Sequence, residues 1–302
     1  MNEKPLISII VPCYNQGRFL RQALTSILEQ TYPHWECIVI NDGSTDTQTA
    51  ETALSFAAVD RRFLYKTQIN SGVSAARNAA LAISKGDYIR FLDADDWIEP
   101  RAFELSLLHV EDRRVVFSQV QTFLQEKQVA EPYYYRLSAD DLTFDKVLTH
   151  FGERFDIPIH CAMIPVALLK DFKFHTGLQV GEDWVMWLHI FRQKPPIFIL
   201  DDALAWYRKW PESATFQIYK SLRNQFWAVQ YVINYFDIDE YRAAKLNERI
   251  LDKLFQKIET AEQSERFILD STSYKIGYLI VRKLSAIVRF FTGLVTMIRN
   301  KK

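Results

Sequence analysis

The first hundred residues alternate short apolar runs with helix-patterned stretches, and this alternation constrains the fold more than any other feature. Leu6–Val11, Cys37–Asn41, Phe63–Tyr65 and Tyr88–Leu92 are β-type runs. Leu6–Val11 and Cys37–Ile40 are almost continuously apolar, as suits parallel strands buried on both faces. Gly17–Gln30 spaces Phe19, Leu20, Ala23, Leu24, Ile27 and Leu28 along one helical face. Thr45–Ala58 and Val73–Ser84 read as two further helices. Strand, helix, strand, helix, strand, helix, strand predicts an α/β fold with a mostly parallel, Rossmann-like sheet flanked by helices. This half ends near residue 100.

Residues 101–215 carry a mixed signal: a helix at Arg101–Val110, a strand at Val115–Val120, a helix near Asp183–Phe191 and a strand around Ile197–Leu200. From 216 to 302 the pattern is helical. Tyr219, Leu222, Phe226, Val229, Ile233 and Phe236 form one stripe, and Leu246, Ile250, Leu254 and Ile258 another. Three segments follow: 1–100, 101–215 and a C-terminal helical extension at 216–302.

In an open α/β sheet, ligands bind beyond the carboxyl ends of the strands. Those positions are polar here: Pro12-Cys13-Tyr14-Asn15-Gln16, Asn41-Asp42-Gly43-Ser44-Thr45-Asp46 and Asp93-Ala94-Asp95-Asp96. Asn41–Asp46 on its own reads first as a turn and helix cap. No GxGxxG or GxxxxGK[ST] follows a strand, which argues against a dinucleotide fingerprint or P-loop. Asp93, Asp95 and Asp96 repel one another, and a helix start needs fewer acids. Hard divalent cations take such oxygen ligands, so a Mg²⁺ or Mn²⁺ site is favoured over a capping cluster. Gly72–Leu81 puts Arg77 and Asn78 on a small-residue helix, either as a solvated arginine or as a cation turned toward a diphosphate or the Asp cluster. Gly181-Glu182-Asp183-Trp184 opens another helix. Acids suit a helix first turn; alternatively Asp183 is a general base, with Trp184 and Trp187 as platforms for a sugar ring.

Together ISIIVPCYN, VINDGSTD, GVSAARNAAL, YIRFLDADD and GEDWVMWL, in this order, resemble the inverting glycosyltransferases of family 2, with the GT-A fold. The resemblance is dense over residues 6–100, patchy to about 215 and generic beyond. It implies that Pro12, Tyr14, Asn15 and Asp42 surround the nucleoside of a nucleotide-diphosphate sugar, UDP first among them. It puts Arg77 near the diphosphate, and Asp93 and Asp95 in the DxD element. Asp95 and then Asp96 would contact the divalent metal. Asp183 would be the catalytic base with Glu182 its neighbour, and Tyr207–Thr215 would be a loop over the donor. Many relatives carry His where this chain has Trp210, and Arg where it has His189. The acceptor would be a hydroxyl of a glycan or lipid-linked sugar.

Composition bounds the alternatives. Lys+Arg and Asp+Glu both number 37, which excludes a wholesale cationic coat for nucleic acid. That zero conceals a split. Residues 271–302 hold seven basic residues and no acid, leaving 30 basic against 37 acidic before them. As a helix the tail would set Ile280, Leu284, Ile287, Phe291, Leu294 and Ile298 on one face. It would then either lie peripherally on a membrane, with cations toward anionic headgroups, or pack on the body. Three cysteines without metal spacing, and no apolar run long enough for a signal or a span, predict a cytoplasmic protein, with the inner face of the membrane as its site if the tail binds lipid. Two rival readings are a sugar nucleotidyltransferase, which wants a Gly-rich basic segment after strand one, and an inactive carbohydrate-binding relative, which should lack the Asp cluster or Asp183. Neither signature is present.

Overall fold

A computed structural model describes residues 4–211 and 222–270. The chain divides into two compact units between Leu246 and Asn247. The first unit holds a nine-stranded sheet. Its opening half is β1 (Ile7–Cys13), α1 (Gly17–Leu28), β2 (Trp35–Asn41), α2 (Thr47–Val59), β3 (Phe63–Thr67), α3 (Val73–Leu81) and β4 (Tyr88–Phe91). Each lies where the apolar pattern predicts it. Then come β5 (Trp97–Ile98), α4 (Ala102–Leu107), β6 (Val115–Leu124), β7 (Val129–Pro132), α5 (Phe144–His150), β8 (Ala162–Pro165), α6 (Glu182–Arg192) and β9 (Ile197–Lys209). Two helices follow, α7 (Leu222–Tyr235) and α8 (Glu240–Asp270), the second running past the unit boundary.

The strand order is β3-β2-β1-β4-β8-β6-β9-β5, with β7 on the side of β6. The first four strands are parallel, and α1 buries Phe19, Leu20, Ala23, Leu24 and Ile27. From β8 onward the sheet is mixed: β8 runs antiparallel to β4 and β6, while β9 is parallel to β6. Register aligns Cys13 with Asn41 and Ile10 with Phe91, so β1, β2 and β4 empty their polar tails at one edge.

The second half departs from the sequence reading in two places. β9 continues nine residues past Leu200, through Asp201 and Asp202, because a bulge against Ser118–Val120 lets it follow β6 to the end. The acids hide that continuation from any search for apolar runs. Tyr207–Lys209 is therefore strand, and Glu212–Thr215 of the expected donor loop lies outside the described residues. The helical stripes hold in part. Val229, Phe236, Leu246 and Ile250 are buried, whereas Phe226 and Leu254 are exposed. Tyr219 and the whole 271–302 tail lie outside the described residues. Among the described residues no helix is long and apolar enough to cross a membrane, and Cys13, Cys37 and Cys161 are buried and unpaired.

Candidate active site

The site grows from the loops after β1 and β2. Asn15 adopts the left-handed backbone region (φ 53°), which asparagine tolerates. There its Oδ1 accepts from the Thr45 N–H at 2.7 Å and the Asp46 N–H at 3.2 Å, while its own N–H donates to Ser44 Oγ at 3.0 Å. Asn41 adds a bond from the Ser44 N–H to its Oδ1 at 2.9 Å and one from its Nδ2 to Tyr65 Oη at 2.9 Å. The two loops are thus stitched into one rim. Asp46 caps α2, accepting from the Thr49 N–H at 2.6 Å, which is the capping part of the sequence reading.

Asp42 is 3% exposed. Its Oδ1 accepts from Gln68 Nε2 at 2.7 Å and the Ser71 N–H at 2.9 Å, and its Oδ2 accepts from the Gly72 N–H at 2.7 Å. The carboxylate therefore holds the segment between β3 and α3. Gly43 (φ 71°) lets that segment close in, since a Cβ there would sit 2.7 Å from the Asn70 backbone nitrogen. Pro12 is buried in β1, whereas Tyr14 is 45% exposed at the rim.

Arg77 joins the two halves of the site. It is 3% exposed and forks from α3, with Nη2 to Asp93 Oδ1 at 2.8 Å and Nη1 to Glu182 Oε1 at 2.9 Å. The two carboxylates, against the cost of burial, raise its pKa further. The turn after β4, closed by the Asp96 N–H to Asp93 carbonyl bond, spreads the three acids apart. Asp95 Oδ2 accepts from Trp210 Nε1 at 2.9 Å. Trp210 is braced by Phe19 and by the Arg18 guanidinium over its ring. Burial, and then the neighbouring Asp93 charge, push the Asp95 carboxyl above the usual range.

Asp96 points into the fold. It is 2% exposed, its Oδ1 accepts from the Arg208 N–H at 2.8 Å, and its Oδ2 lies 3.1 Å from His160 Nδ1. This departs from the expectation that set Asp96 beside Asp95 as a metal ligand, because both of its oxygens are engaged by protein groups. Burial lowers His160 to about 4, so the ring is neutral near pH 7. Arg208 completes the bracket with Nε to the Asp95 carbonyl at 2.7 Å and Nη2 to Gln22 at 2.6 Å.

Gly181 opens α6 in the left-handed region (φ 76°), with Glu182 and Asp183 in the first turn. Burial, and then the adjacent Glu182 charge, push the Asp183 carboxyl up to about 8, while Arg77 pulls the other way. The indoles of Trp184 and Trp187 are not platforms. They are 4% and 0% exposed and donate to the carbonyls of Val147 and Ile157 at 2.8 and 3.0 Å. A helix turn that carries the acids outward must carry these residues into the core.

Sequence reasoning missed Gln68 and Asp156, the latter adding negative charge at Asp183. Gln68 follows β3 directly, so the strand-end rule applied to all four strands would have found it. Arg208 falls within the expected donor loop Tyr207–Thr215, but nothing in the local sequence marks its bonds to the Asp95 carbonyl and the Asp96 carboxylate.

An acidic strand edge welded by one buried arginine to a Glu-Asp helix start, on this sheet, defines a GT-A glycosyltransferase architecture. The family model for glycosyl transferase family 2 matches residues 8–172, more than half of the chain, and the chain belongs to that family of transferase enzymes. Glycosyltransferase GlyA of Streptococcus pneumoniae is 50% identical over 93 residues, 31% of this chain and 13% of that protein. The putative teichuronic acid biosynthesis glycosyltransferase TuaG of Bacillus subtilis is 28% identical over 209 residues, 68% of this chain and 80% of that one. The matched segment thus spans only a small part of GlyA. Among solved structures, S. aureus TarS 1-349 in complex with UDP-GlcNAc superposes with TM-score 0.59 at 20% identity, covering 83% of this chain and 72% of that chain. Mannosyltransferase PcManGT from Pyrobaculum calidifontis, in complex with GDP-Man and Mn²⁺, gives 0.56 at 14% identity over 95% and 88%.

Proposed function

We propose that this protein transfers a sugar, with inversion, from a nucleoside-diphosphate donor to a hydroxyl of a glycan or lipid-linked acceptor. The observation that carries this is the Arg77 fork, which ties Asp93 of the acidic loop to Glu182, the residue before Asp183. Donor-side carboxylates and a candidate base are thereby held in one rigid relation, as an in-line displacement needs.

Asp183 removes the proton of the acceptor hydroxyl as it attacks the anomeric carbon. Its raised pKa, about 8, makes it a better proton acceptor than an ordinary aspartate once ionised. Tyr14 and Asn15 form the rim for the nucleoside. Asp42 holds the 68–72 segment as the base side of that rim. UDP is the first choice of donor nucleotide, a choice supported by the family resemblance and by the UDP-GlcNAc held by TarS on the same fold.

Asp93 and Asp95 fit a hard divalent cation. They offer only oxygen, and they crowd negative charge into one turn. Among the described residues no three His, Cys, Asp or Glu side chains converge as a complete metal site, so donor oxygens would finish the shell. Such an ion would offset the charge growing on the departing diphosphate. Trp210 and Arg77 each hold one oxygen of these carboxylates and so set their orientation.

A panel of UDP- and GDP-sugars with Mn²⁺ or Mg²⁺, scored by thermal shift and by nucleotide release, tests this reading. A shift with at least one donor that requires the cation and is lost in Asp95→Asn is expected. No response to any nucleotide sugar would overturn the reading.

A further inference from the structure

A hollow of about 450 Å³ lies beside the start of α6, lined by Gly177, Leu178, Gln179, Arg223, Asn224 and Trp227. One wall is the turn that leads into Gly181-Glu182-Asp183, and the other is the first two turns of α7. The walls are locked together. Asn224 Nδ2 donates to Gln179 Oε1 at 2.8 Å. A Cβ at Gly181 would lie 3.3 Å from Ala228 Cβ, so α7 packs directly on the cap of α6. Gln179 precedes Asp183 by four residues, and such a stretch of chain reaches at most about 14 Å. The lining residue Gln179 therefore lies within that reach of the candidate base.

Its lining has a specific chemistry. α7 buries Ala228, Val229 and Val232 at 4%, 2% and 0% exposure, yet leaves the Trp227 indole 56% exposed. An indole face is large, rigid and apolar with one N–H donor, which suits the apolar face of a sugar ring. Around it stand the exposed Arg223 guanidinium and two side-chain amides. A guanidinium fork pairs with carboxylate or phosphate, and amides satisfy hydroxyls.

Resting on the transferase reading above, we propose that this hollow is an acceptor subsite for a sugar unit bearing an anionic group. Trp227 lies under the ring, Arg223 holds the carboxylate or phosphate, and the Gln179–Asn224 pair bonds the hydroxyls. The subsite would hold the unit next to the attacking sugar and so select anionic over neutral acceptors.

Calorimetric titration of the full chain with three probes tests this: an oligogalacturonate trimer, glucose 6-phosphate and neutral chitotriose. One of the two anionic probes should bind the wild-type chain more tightly than chitotriose, and which one it is tells carboxylate from phosphate. Trp227→Ala should weaken that probe at least tenfold, Trp227→Phe should retain it, and Arg223→Gln should reduce it to the level of chitotriose. Both side chains are exposed, and circular dichroism checks that the variants fold. Equal binding by wild type and Trp227→Ala, no preference for an anionic probe, or no binding of any probe would overturn the subsite. UDP binding by the wild-type chain, followed by thermal shift, is read separately. Its absence would count against the transferase reading, whatever the sugars do.

Discussion

Arg90 gives the sharpest test of the packing beneath the acidic loop. It lies on β4, opposite Ile9 of β1, and is 0% exposed. None of its Nε, Nη1 and Nη2 atoms has a hydrogen-bond partner. The nearest compensations are the Phe103 ring, 6.0 Å from the guanidinium carbon, and the electrostatic influence of Cys161. Burial pushes the guanidinium well below its ordinary value, to about 10. That difference corresponds to about 3 kcal/mol favouring the unfolded chain. The sign follows from protonation: below pH 10 both states carry the charge and the full penalty is present, and stability recovers only as pH rises above about 10 toward the ordinary arginine value. R90M keeps a long side chain and removes the buried charge. It should stabilise the protein by about 3 kcal/mol at pH 7, or roughly 6–12 °C in Tm for a domain of this size. Urea unfolding followed by tryptophan fluorescence measures it. A variant less stable than wild type would refute the reasoning, because the guanidinium would then have partners worth more than its desolvation.

Two other perturbations follow from the same electrostatics. If Asp183 must be ionised to act, kcat/KM should rise about tenfold per pH unit and level off near pH 8, and Glu182→Gln should move that limb to lower pH by removing the adjacent charge; a flat profile from pH 6 to 9 would contradict it. Arg77→Met leaves Asp93 and Glu182 without their shared cation and should cost about 3–5 kcal/mol in urea unfolding, with the Asp183 limb shifted to higher pH. Unchanged stability would mean the fork is not formed in solution.

The parallel half of the fold was legible because buried strands and amphipathic helices write their period directly into residues 6–100. β9 was not, since Asp201 and Asp202 interrupt its apolar pattern, and a bulge rather than a residue type keeps it paired to β6. At the site, residue types showed where acids cluster but not which way each carboxylate faces. Asp95 and Asp96 are adjacent in sequence, so the turn sends one to Trp210 and the other to Arg208 and His160. Trp184 and Trp187 misled for a similar reason: the helix that presents Asp183 turns both indoles into the core. Arg77 was visible as a cation on a small-residue helix. Its double partnership depends on α6, 105 residues away.

The central claim is that Asp183 takes the acceptor's proton. Asp183→Asn, assayed with whichever nucleotide sugar the panel selects, measures it most directly. The substitution keeps the size of the side chain and an oxygen acceptor for the Trp184 N–H while removing the base. Transfer should fall by about 10²–10⁴-fold, the range general bases contribute, with the UDP-induced thermal shift retained. Transfer at the wild-type rate, with UDP still bound, would contradict the account.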